Sequence, residues 1–386
     1  MNKTIDVVVK YFYPVTAGIE TNVLETYSRL VDKGWRVTIH TSNDTLEKKD
    51  ILPLLETYKG LTIRRYRSGF LNFDPQISYG KTGLICLHNF DLFPHARIFV
   101  AMWIRRVFHK KTPRLFLTPH GGFTPEWPTF PILIRLLKQV YHRTLGLWMI
   151  THLADGVRAV SDWEYRQLVY KGVPKKLVKT ISNGLEDDAF STNDIMPSDV
   201  AIRIVKKNTP YIIDVGRISP IKHYETAIAA LKAMNHDCRF LIMGPVQDDE
   251  YKQRLLMYAN SLGVSNRLRF IGVHRGADKY YLLRNASLMV HLASWESFGN
   301  VVHEAMSQGI ICVVSMDTGV ADRIEPGISG YLSGKDDAQR IAELADRSID
   351  PRDQEFSAIR KKLKHTRWHS WKDTAQEMNK AYLKLI

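Results

Sequence analysis

Short runs of β-branched and other apolar residues alternate with helical periodicity along the whole chain, and this alternation restricts the fold more than any other feature. Apolar residues recur at helical spacing in residues 19–33, which Gly34 closes, and in residues 224–233 and 249–262. Strands that alternate with helices form parallel sheets covered by helices on both faces. The pattern therefore predicts an α/β protein. The runs predicted as strands cover residues 6–9, 37–40, 62–65, 84–88, 115–118, 156–160, 178–182, 211–215, 239–243, 268–271, 286–292 and 310–315.

The length and one change of composition predict two domains. The chain has 386 residues, which is more than a single ordinary core accommodates. Residues 183–208 are rich in turn and linker residues, beginning with Asn183-Gly184. We therefore predict two doubly wound, Rossmann-like domains, residues 1–183 and 184–367, with a cleft between them. A closing helix at about residues 368–386 is expected to pack back on the first domain. Ligands of such domains bind at the carboxyl ends of the strands.

The composition is that of a globular protein, with 45% apolar and 24% charged residues. No run approaches the ~20 apolar residues that a membrane-spanning helix needs. The N-terminus leads directly into a predicted strand and lacks the apolar core of a cleavable signal. The cysteines are widely spaced and form neither a metal-binding nor a disulfide pattern: Cys86, Cys238 and Cys312. These features favour a protein of the cytoplasm.

Positive charge is concentrated in the first half. Residues 1–182 contain 27 Lys and Arg against 14 Asp and Glu, whereas residues 183–386 contain 27 against 26. A basic surface attracts phosphate groups, whether those of a nucleic acid, an anionic lipid or a phosphorylated substrate. Solubility alone is a second explanation for such an excess. The charge therefore indicates an anionic partner without identifying it.

Two cations follow the first predicted strand of the second half. Strand 211–215 leads into Gly216-Arg217, and Lys222 stands just before the next predicted helix. An arginine there can fork onto the oxygens of a phosphate, and a lysine adds a point charge. Two cations in a loop are more often simply solvated, so this pair gains its meaning only from what surrounds it.

A pair of glutamates brackets a predicted helix start. The stretch from Glu296 to Glu304 has seven residues between the two carboxylates, and it contains Gly299-Asn300-Val301 where the helix begins. Free amides and the helix dipole bind phosphate at such a start, and glycine lets the backbone approach closely. Glu304 can accept hydrogen bonds from a vicinal diol, and Glu296 would face the other end of the same ligand. A nucleoside diphosphate sugar has this layout of diol, diphosphate and sugar hydroxyls. For an isolated pair, a solvated loop carboxylate at Glu296 and a partner of the helix dipole at Glu304 are the simpler interpretation.

Taken together, these segments resemble glycosyltransferase family 4, whose retaining enzymes have the GT-B fold and a Glu-x7-Glu signature. The resemblance is strongest over residues 210–334, through Gly244-Pro245 and Gly330-Tyr331-Leu332, and extends to Ser182-Asn183-Gly184 near the domain boundary. It implies that Arg217 and Lys222 bind the donor diphosphate together with the amides around Gly299, Asn300 and Val301. It also implies that Glu304 holds the ribose hydroxyls and Glu296 the hydroxyls of the donor sugar.

In the first half the resemblance implies further contacts. Gly18 belongs to the loop after the first strand and would approach a phosphate or the reacting sugar, although Ala17 stands where the family often has a second glycine. His120, in Thr118-Pro119-His120-Gly121-Gly122, would contact the sugar near its reacting carbon. His88 and Asn89, which end another strand, are candidates for the acceptor side. The resemblance thus implies His120, Glu296, Arg217 and Lys222 as the catalytic residues.

The implied activity is retaining transfer of a sugar from a nucleoside diphosphate donor, a UDP-sugar in preference to GDP-mannose, in the synthesis of a cell-surface glycan, polysaccharide or glycolipid. No Asp-x-Asp occurs in the sequence, so we expect neither an essential metal nor another cofactor. Two alternatives stay open. One is another GT-B enzyme, such as a nucleotide-sugar epimerase, against which the placement of the glutamates argues. The other is a non-catalytic protein that binds phosphate or nucleic acid, although nucleic-acid motifs are lacking.

The acceptor is the open question, and two segments bear on it. Residues 98–111 and 130–148 combine apolar and cationic residues in the basic half. Such helices lie on an anionic membrane surface or pack into a core with their cations extended to solvent, and the sequence favours neither. On the first interpretation the enzyme is peripheral on the inner face of the cytoplasmic membrane, with a polyprenyl-linked acceptor. A saccharide is the other acceptor class that we expect.

Overall fold

The computed structural model of the protein describes residues 2–45, 48–49, 51–69, 72–123, 131–190, 196–316 and 318–386. The chain forms two compact units. Unit 1 comprises Met1–Gly184 together with His369–Ile386, and unit 2 comprises Leu185–Trp368.

The centre of unit 1 is a sheet with the strand order β3-β4-β2-β1-β5-β6-β7-β8. All neighbouring strands are parallel except β3 and β4, which form an antiparallel pair at one edge. Because β5 and β6 are neighbours in parallel register, the residues that follow them meet at one end of the sheet. The strands are β1 (Thr4–Val8), β2 (Arg36–Ser42), β3 (Leu55–Tyr58), β4 (Leu61–Tyr66), β5 (Leu84–His88), β6 (Arg114–Thr118), β7 (Gly156–Ala159) and β8 (Val178–Thr180).

The helices of unit 1 lie between residues 18 and 170, apart from one at the end of the chain. They are α1 (Gly18–Val31), α2 (His95–Val107), α3 (Ile132–Arg143), α4 (Leu145–Leu153), α5 (Asp162–Tyr170) and the last helix of the chain, α13 (Trp371–Leu383). The last helix packs against α1. It buries Trp371, Met378 and Tyr382 in unit 1, and its start is fixed by a reciprocal capping box between Ser370 and Asp373.

Unit 2 contains an entirely parallel sheet with the order β11-β10-β9-β12-β13-β14. The order reverses beside β9, the first strand of the unit, and α/β sheets bind ligands at such a switch point. Its strands are β9 (Tyr211–Val215), β10 (Arg239–Met243), β11 (Leu268–Gly272), β12 (Leu288–His291), β13 (Cys312–Ser315) and β14 (Tyr331–Ser333). Its helices are α6 (Asp199–Asn208), α7 (Tyr224–Ala233), α8 (Asp249–Ser261), α9 (Gly276–Arg284), α10 (Asn300–Ser307), α11 (Ala338–Ile349) and α12 (Gln354–His365).

The predicted α/β class is confirmed, and each predicted strand is present with ends shifted by at most a few residues. The prediction was wrong in part for residues 183–208, because α6 occupies the end of that stretch. Ser198 caps this helix through its side chain, and Ala201 and Val205 are buried. Residues 191–195 of the predicted linker lie outside the described residues. The sequence pattern also missed β3, whose residues are exposed or half-buried and lack an apolar pattern, and β14, which has only three residues.

Candidate nucleotide-sugar site

The two glutamates and the two cations of unit 2 follow neighbouring strands. β9 leads to Arg217 and Lys222, and β12 leads to Glu296, so the parallel pairing of β9 with β12 places these loops at one end of the sheet. The Nζ of Lys222 lies 3.4 Å from Oε2 of Glu296. The Arg217 side chain is exposed. The structure thus brings together a cation and a carboxylate that are far apart in the sequence.

A buried histidine lies between Glu296 and a buried aspartate. His291 Nδ1 is 2.8 Å from Oδ1 of Asp214, and His291 Nε2 is 3.8 Å from Oε2 of Glu296. Burial would raise the pKa of Glu296, but Lys222 and His291 outweigh it and lower this pKa to about 2. Burial lowers the pKa of His291, and Asp214 more than offsets that effect, so the pKa is raised. Glu296 is therefore held as a carboxylate.

The start of α10 is shaped by close backbone approach. Gly299 precedes the helix with φ at +75°, and a Cβ there would lie 2.9 Å from Cβ of Val320. A Cβ on Gly319 would lie 2.2 Å from the carbonyl oxygen of Ser297. Amides in the first turn of a helix lack intrahelical acceptors, and helix starts of this kind favour anions.

Glu304 lies within α10 beside a lysine that the sequence did not single out. Its Oε1 is 3.1 Å from Nζ of Lys279, which also lies 2.8 Å from Oε2 of Glu186. Oε2 of Glu304 is buried and has no hydrogen-bond partner among the described residues. Burial raises the pKa of Glu304; Lys279 opposes this and Glu186 adds to it. The two glutamates therefore have pKa values shifted in opposite directions.

In unit 1, two histidines meet where β5 and β6 end. Nδ1 of His88 is 2.8 Å from Nε2 of His120, and Nε2 of His88 is 2.9 Å from the hydroxyl of Tyr27. Both rings are buried. Burial lowers the pKa of His120 to about 3 and the pKa of His88 well below its ordinary value, so both rings are neutral. Both ring nitrogens of His88 are therefore engaged within unit 1, and neither is left to bind the acceptor substrate.

A buried carboxylate holds the turn that carries His120. Oε1 of Glu164 accepts a hydrogen bond from the amide of Gly121, and Oε2 accepts one of 2.8 Å from the amide of Val160. Burial raises the pKa of Glu164 to about 7 against these two hydrogen bonds and the charge of Arg158. His120 itself has φ at +52°, which non-glycine residues rarely adopt. Such strain persists where neighbouring groups enforce it.

The remaining predicted residues of unit 1 lie at strand and helix ends. Gly18 is the first residue of α1 and is exposed. Asn89 follows β5 with φ at +69°, and its side-chain amide donates to Oδ2 of Asp91 at 2.9 Å. These placements are compatible with ligand contacts, but they do not assign any.

Two family models together account for most of the chain. The model described as glycosyl transferases group 1 matches residues 198–364, and the model of Glycosyltransferase Family 4 matches residues 16–189. The chain belongs to glycosyltransferase family 4. Among its relatives is the D-inositol 3-phosphate glycosyltransferase of Mycobacterium bovis, 25% identical over 251 residues, or 63% of this chain and 52% of that protein. The chain thus spans about half the length of the relatives it matches.

Solved structures with the same architecture show the fold of the chain. Anabaena HepE in complex with UDP and glucose superposes with a TM-score of 0.77 at 19% identity, over 99% of both chains. Sucrose-phosphate synthase from Thermosynechococcus elongatus gives a TM-score of 0.72 at 19% identity, over 99% of this chain and 98% of that one. At these identities the likeness establishes the two-domain GT-B fold of this family 4 protein.

Proposed function

We propose that this family 4 protein is a retaining glycosyltransferase that moves a sugar from a nucleoside diphosphate sugar to a saccharide or lipid-linked acceptor. The observation that carries the proposal is the arrangement at one end of the unit 2 sheet. There the Lys222–Glu296 pair, 3.4 Å apart, stands beside the start of α10, and Glu304 lies within the same helix. A nucleoside diphosphate sugar fits this arrangement, because its charged diphosphate lies between two groups that carry hydroxyls.

The charges in the site match what bond cleavage requires. Breaking the anomeric bond leaves negative charge on the diphosphate and positive charge on the sugar. Arg217 and Lys222 stabilise the departing diphosphate together with the amides at the start of α10, and such fixed charges and dipoles lower the barrier because they need no reorganisation. Glu296, ionised because of Lys222 and His291, accepts hydrogen bonds from the sugar hydroxyls.

Glu304 is suited to a diol because one of its oxygens is already fixed. Lys279 orients the carboxylate through Oε1, and the buried Oε2 is left as an acceptor among the described residues. A buried acceptor without a partner costs about 1–3 kcal/mol, and a ligand hydroxyl recovers that cost. Ribose hydroxyls are the ligand groups proposed here.

A UDP-sugar is the proposed donor. HepE, the similar Anabaena protein, has been solved with UDP and glucose and with UDP-glucose. We further propose that transfer retains the configuration at the anomeric carbon and needs no metal, since the phosphate charge is met by Arg217, Lys222 and backbone amides.

Thermal denaturation with UDP, GDP, ADP and dTDP, each with and without magnesium, tests the donor site. Of the four nucleotides, we expect only UDP to raise the melting temperature strongly, because a ligand at 100 times its Kd stabilises by about 2.7 kcal/mol. Magnesium should have no further effect. Lys222→Met should abolish the shift, whereas Lys232→Met, which removes an exposed lysine of α7, should leave it unchanged. A chain stabilised by no nucleotide would contradict the proposal. The anomeric configuration of the product, read by NMR, tests retention.

The second half of the proposal concerns the acceptor and rests on α3. Its apolar side chains are unusually exposed, with Ile132, Leu133 and Leu137 at 72%, 70% and 63%. Leu136 and Val140 lie on the same stripe and are exposed as well. Only Tyr141 and His142 of this helix are buried. Packing into the core therefore does not explain the apolar face of α3. Phe130, which the sequence grouped with it, lies outside the described residues.

We propose that the α3 surface, the exposed face formed by Ile132, Leu133, Leu136, Leu137 and Val140, docks on an anionic lipid bilayer. The same helix carries Arg135, Lys138 and Arg143, and its neighbour α4 exposes Trp148. An amphipathic helix with cations lies in the headgroup region of an anionic membrane, where tryptophan is also favoured. Each large apolar side chain removed from water contributes about 1.5–3 kcal/mol. No helix of the described residues is long and apolar enough to cross a bilayer.

Co-flotation with vesicles tests the docking surface. We expect binding to vesicles that contain phosphatidylglycerol, weaker binding at high salt, and little binding to phosphatidylcholine alone. The double variant Leu133→Ser/Leu137→Ser should lose most of the binding, and because both side chains are exposed its fold should persist. Met257→Ser, which alters an equally exposed side chain of α8 in unit 2, is the matched control. Equal flotation of all three proteins would contradict the docking proposal and leave the donor site untouched.

A further inference from the structure

We propose that Tyr27 and His88 are positioning residues that fix the tautomer of His120, so that its ring carries a proton on Nδ1. This fixed tautomer makes Nδ1 of His120 an obligate hydrogen-bond donor toward a ligand. The catalytic consequence rests on the proposed function, whereas the tautomer itself does not.

The inference begins with a buried chain of hydrogen bonds across unit 1. The Sγ of Cys86 is 3.2 Å from the hydroxyl of Tyr382, and that hydroxyl is 2.9 Å from the hydroxyl of Tyr27. The Tyr27 hydroxyl reaches Nε2 of His88 at 2.9 Å, and Nδ1 of His88 reaches Nε2 of His120 at 2.8 Å. The chain therefore connects the last helix of the protein, α13, with the end of β6 through α1 and β5.

If each group donates only along this series of hydrogen bonds, the series has two consistent directions. In the first, Tyr382 donates to Tyr27, Tyr27 donates to Nε2 of His88, and Nδ1–H of His88 donates to Nε2 of His120. In the second, every donor and acceptor is exchanged. A neutral imidazole has one donor and one acceptor nitrogen, so the state of His88 fixes the state of His120 in either case.

The chemistry of the groups favours the first direction. A phenol hydroxyl is a good donor and the unprotonated imidazole nitrogen is a good acceptor, whereas phenol oxygen accepts weakly because its lone pair is delocalised into the ring. The second direction would also oblige the Tyr382 hydroxyl to donate to the sulfur of Cys86, a weak acceptor. In the first direction the thiol donates instead. His120 then accepts at Nε2 and carries its proton on Nδ1.

The surroundings hold both histidines in this neutral, fixed arrangement. Their rings are buried, and the buried guanidinium of Arg158 opposes a positive charge on either ring. Glu164 fixes the following backbone through the amide of Gly121. His120 is thus constrained in its ring by His88 and in its backbone by Glu164. A donor at Nδ1 is suited to a hydroxyl or phosphate oxygen of a bound ligand.

Histidine NMR on the intact, ligand-free protein tests the tautomer directly. Two-bond ¹H–¹⁵N spectra of ¹⁵N-histidine-labelled protein distinguish Nδ1–H from Nε2–H, and His120→Gln assigns the signal. We expect His120 to be a single Nδ1–H tautomer in the wild type and a mixture in Tyr27→Phe. Tyr382→Phe removes the same group one step further away and leaves the donation from Tyr27 to His88 intact, so His120 should stay Nδ1–H. A wild-type Nε2–H form, or the same spectrum in all three proteins, would overturn the proposal.

Kinetics then separates positioning from mere stability. Tyr27→Phe should lower kcat about tenfold or more with a nearly unchanged donor KM. The magnitude is taken from metal-binding histidines, where losing the outer partner that fixes the tautomer typically costs 10–100-fold. Tyr382→Phe should keep a kcat close to that of the wild type, although both variants bury an unpaired group. Equal losses of kcat in the two variants would mean that the hydrogen bonds from Tyr382 to His120 have only a structural role. Because the spectra need no substrate, a protein without transferase activity would refute the proposed function and leave the tautomer result standing.

Discussion

Glu296 and Glu304 share one helix start but lie in different electrostatic surroundings. Lys222 and His291 lower the pKa of Glu296, whereas burial and Glu186 raise the pKa of Glu304. We expect Glu304→Gln to weaken nucleotide binding, about tenfold in Kd, because a hydrogen bond to a charged group contributes roughly 1.5–3 kcal/mol. Glu296→Gln should mainly lower kcat. Glu343→Gln, at an exposed position of α11, is the control. Calorimetry and initial rates measure the difference; a Glu304→Gln protein that binds UDP normally would contradict it.

The shift at Glu296 also has a signature in stability. The folded pKa of about 2 lies below the ordinary 4.5, so the ionised side chain stabilises the folded chain above pH 4.5, and this contribution is lost as the pH falls toward 2. The advantage of the wild type over Glu296→Gln should therefore shrink by about 1 kcal/mol between pH 5 and 3.5. Thermal unfolding of both proteins across this range provides the measurement. A stability difference between the two proteins that does not change with pH would show that Glu296 does not have the lowered pKa.

At the scale of elements, α10 depends on its first glycine. Gly299→Ala places a Cβ in left-handed backbone and 2.9 Å from Val320. Gly263→Ala is a close control, because Gly263 has the same φ of +75° and no atom within 4 Å of the new Cβ. Both variants should lose roughly 1–2 kcal/mol from the backbone alone.

Only Gly299→Ala should lose more stability than this and also bind UDP more weakly, because the displaced helix start moves the amides of the phosphate site. Urea unfolding and nucleotide titration on both variants decide the point. Equal nucleotide affinity in the two proteins would argue against α10 as the phosphate-binding element.

At the scale of the whole molecule, the end of the chain completes the first unit. α13 buries Trp371, Met378 and Tyr382 in unit 1, and Asn379 accepts a hydrogen bond of 2.8 Å from the indole of Trp35. Truncation after Trp368 should therefore unfold unit 1 and leave unit 2 folded, since losing even one such side chain from a core costs about 2–5 kcal/mol. Hydrogen–deuterium exchange should show lost protection in residues 2–184 and near-native protection in residues 185–368. Protection lost equally in both regions would contradict this division.

The sequence predicted much of this protein because its signals are local. Alternating apolar runs and helical periodicity predicted most of the strands and the α/β class. The candidate site around Glu296, Gly299 and Glu304 was predicted from the spacing of these residues together with the resemblance to glycosyltransferase family 4. Local signals failed at β3, whose exposed residues follow no apolar pattern, and at α6, where linker-type residues precede a capped helix.

The tertiary structure decided which distant groups meet. Lys279 binds Glu304 and Glu186, His291 links Asp214 to Glu296, and Tyr27 reaches His88. It also showed that the apolar side chains of residues 132–140, for which the sequence left two interpretations equal, lie outside the core. The physical reason is that periodicity records which face of a segment is apolar. What covers that face, and which charge approaches a given carboxylate, is set by strand order and by packing between segments that are remote along the chain.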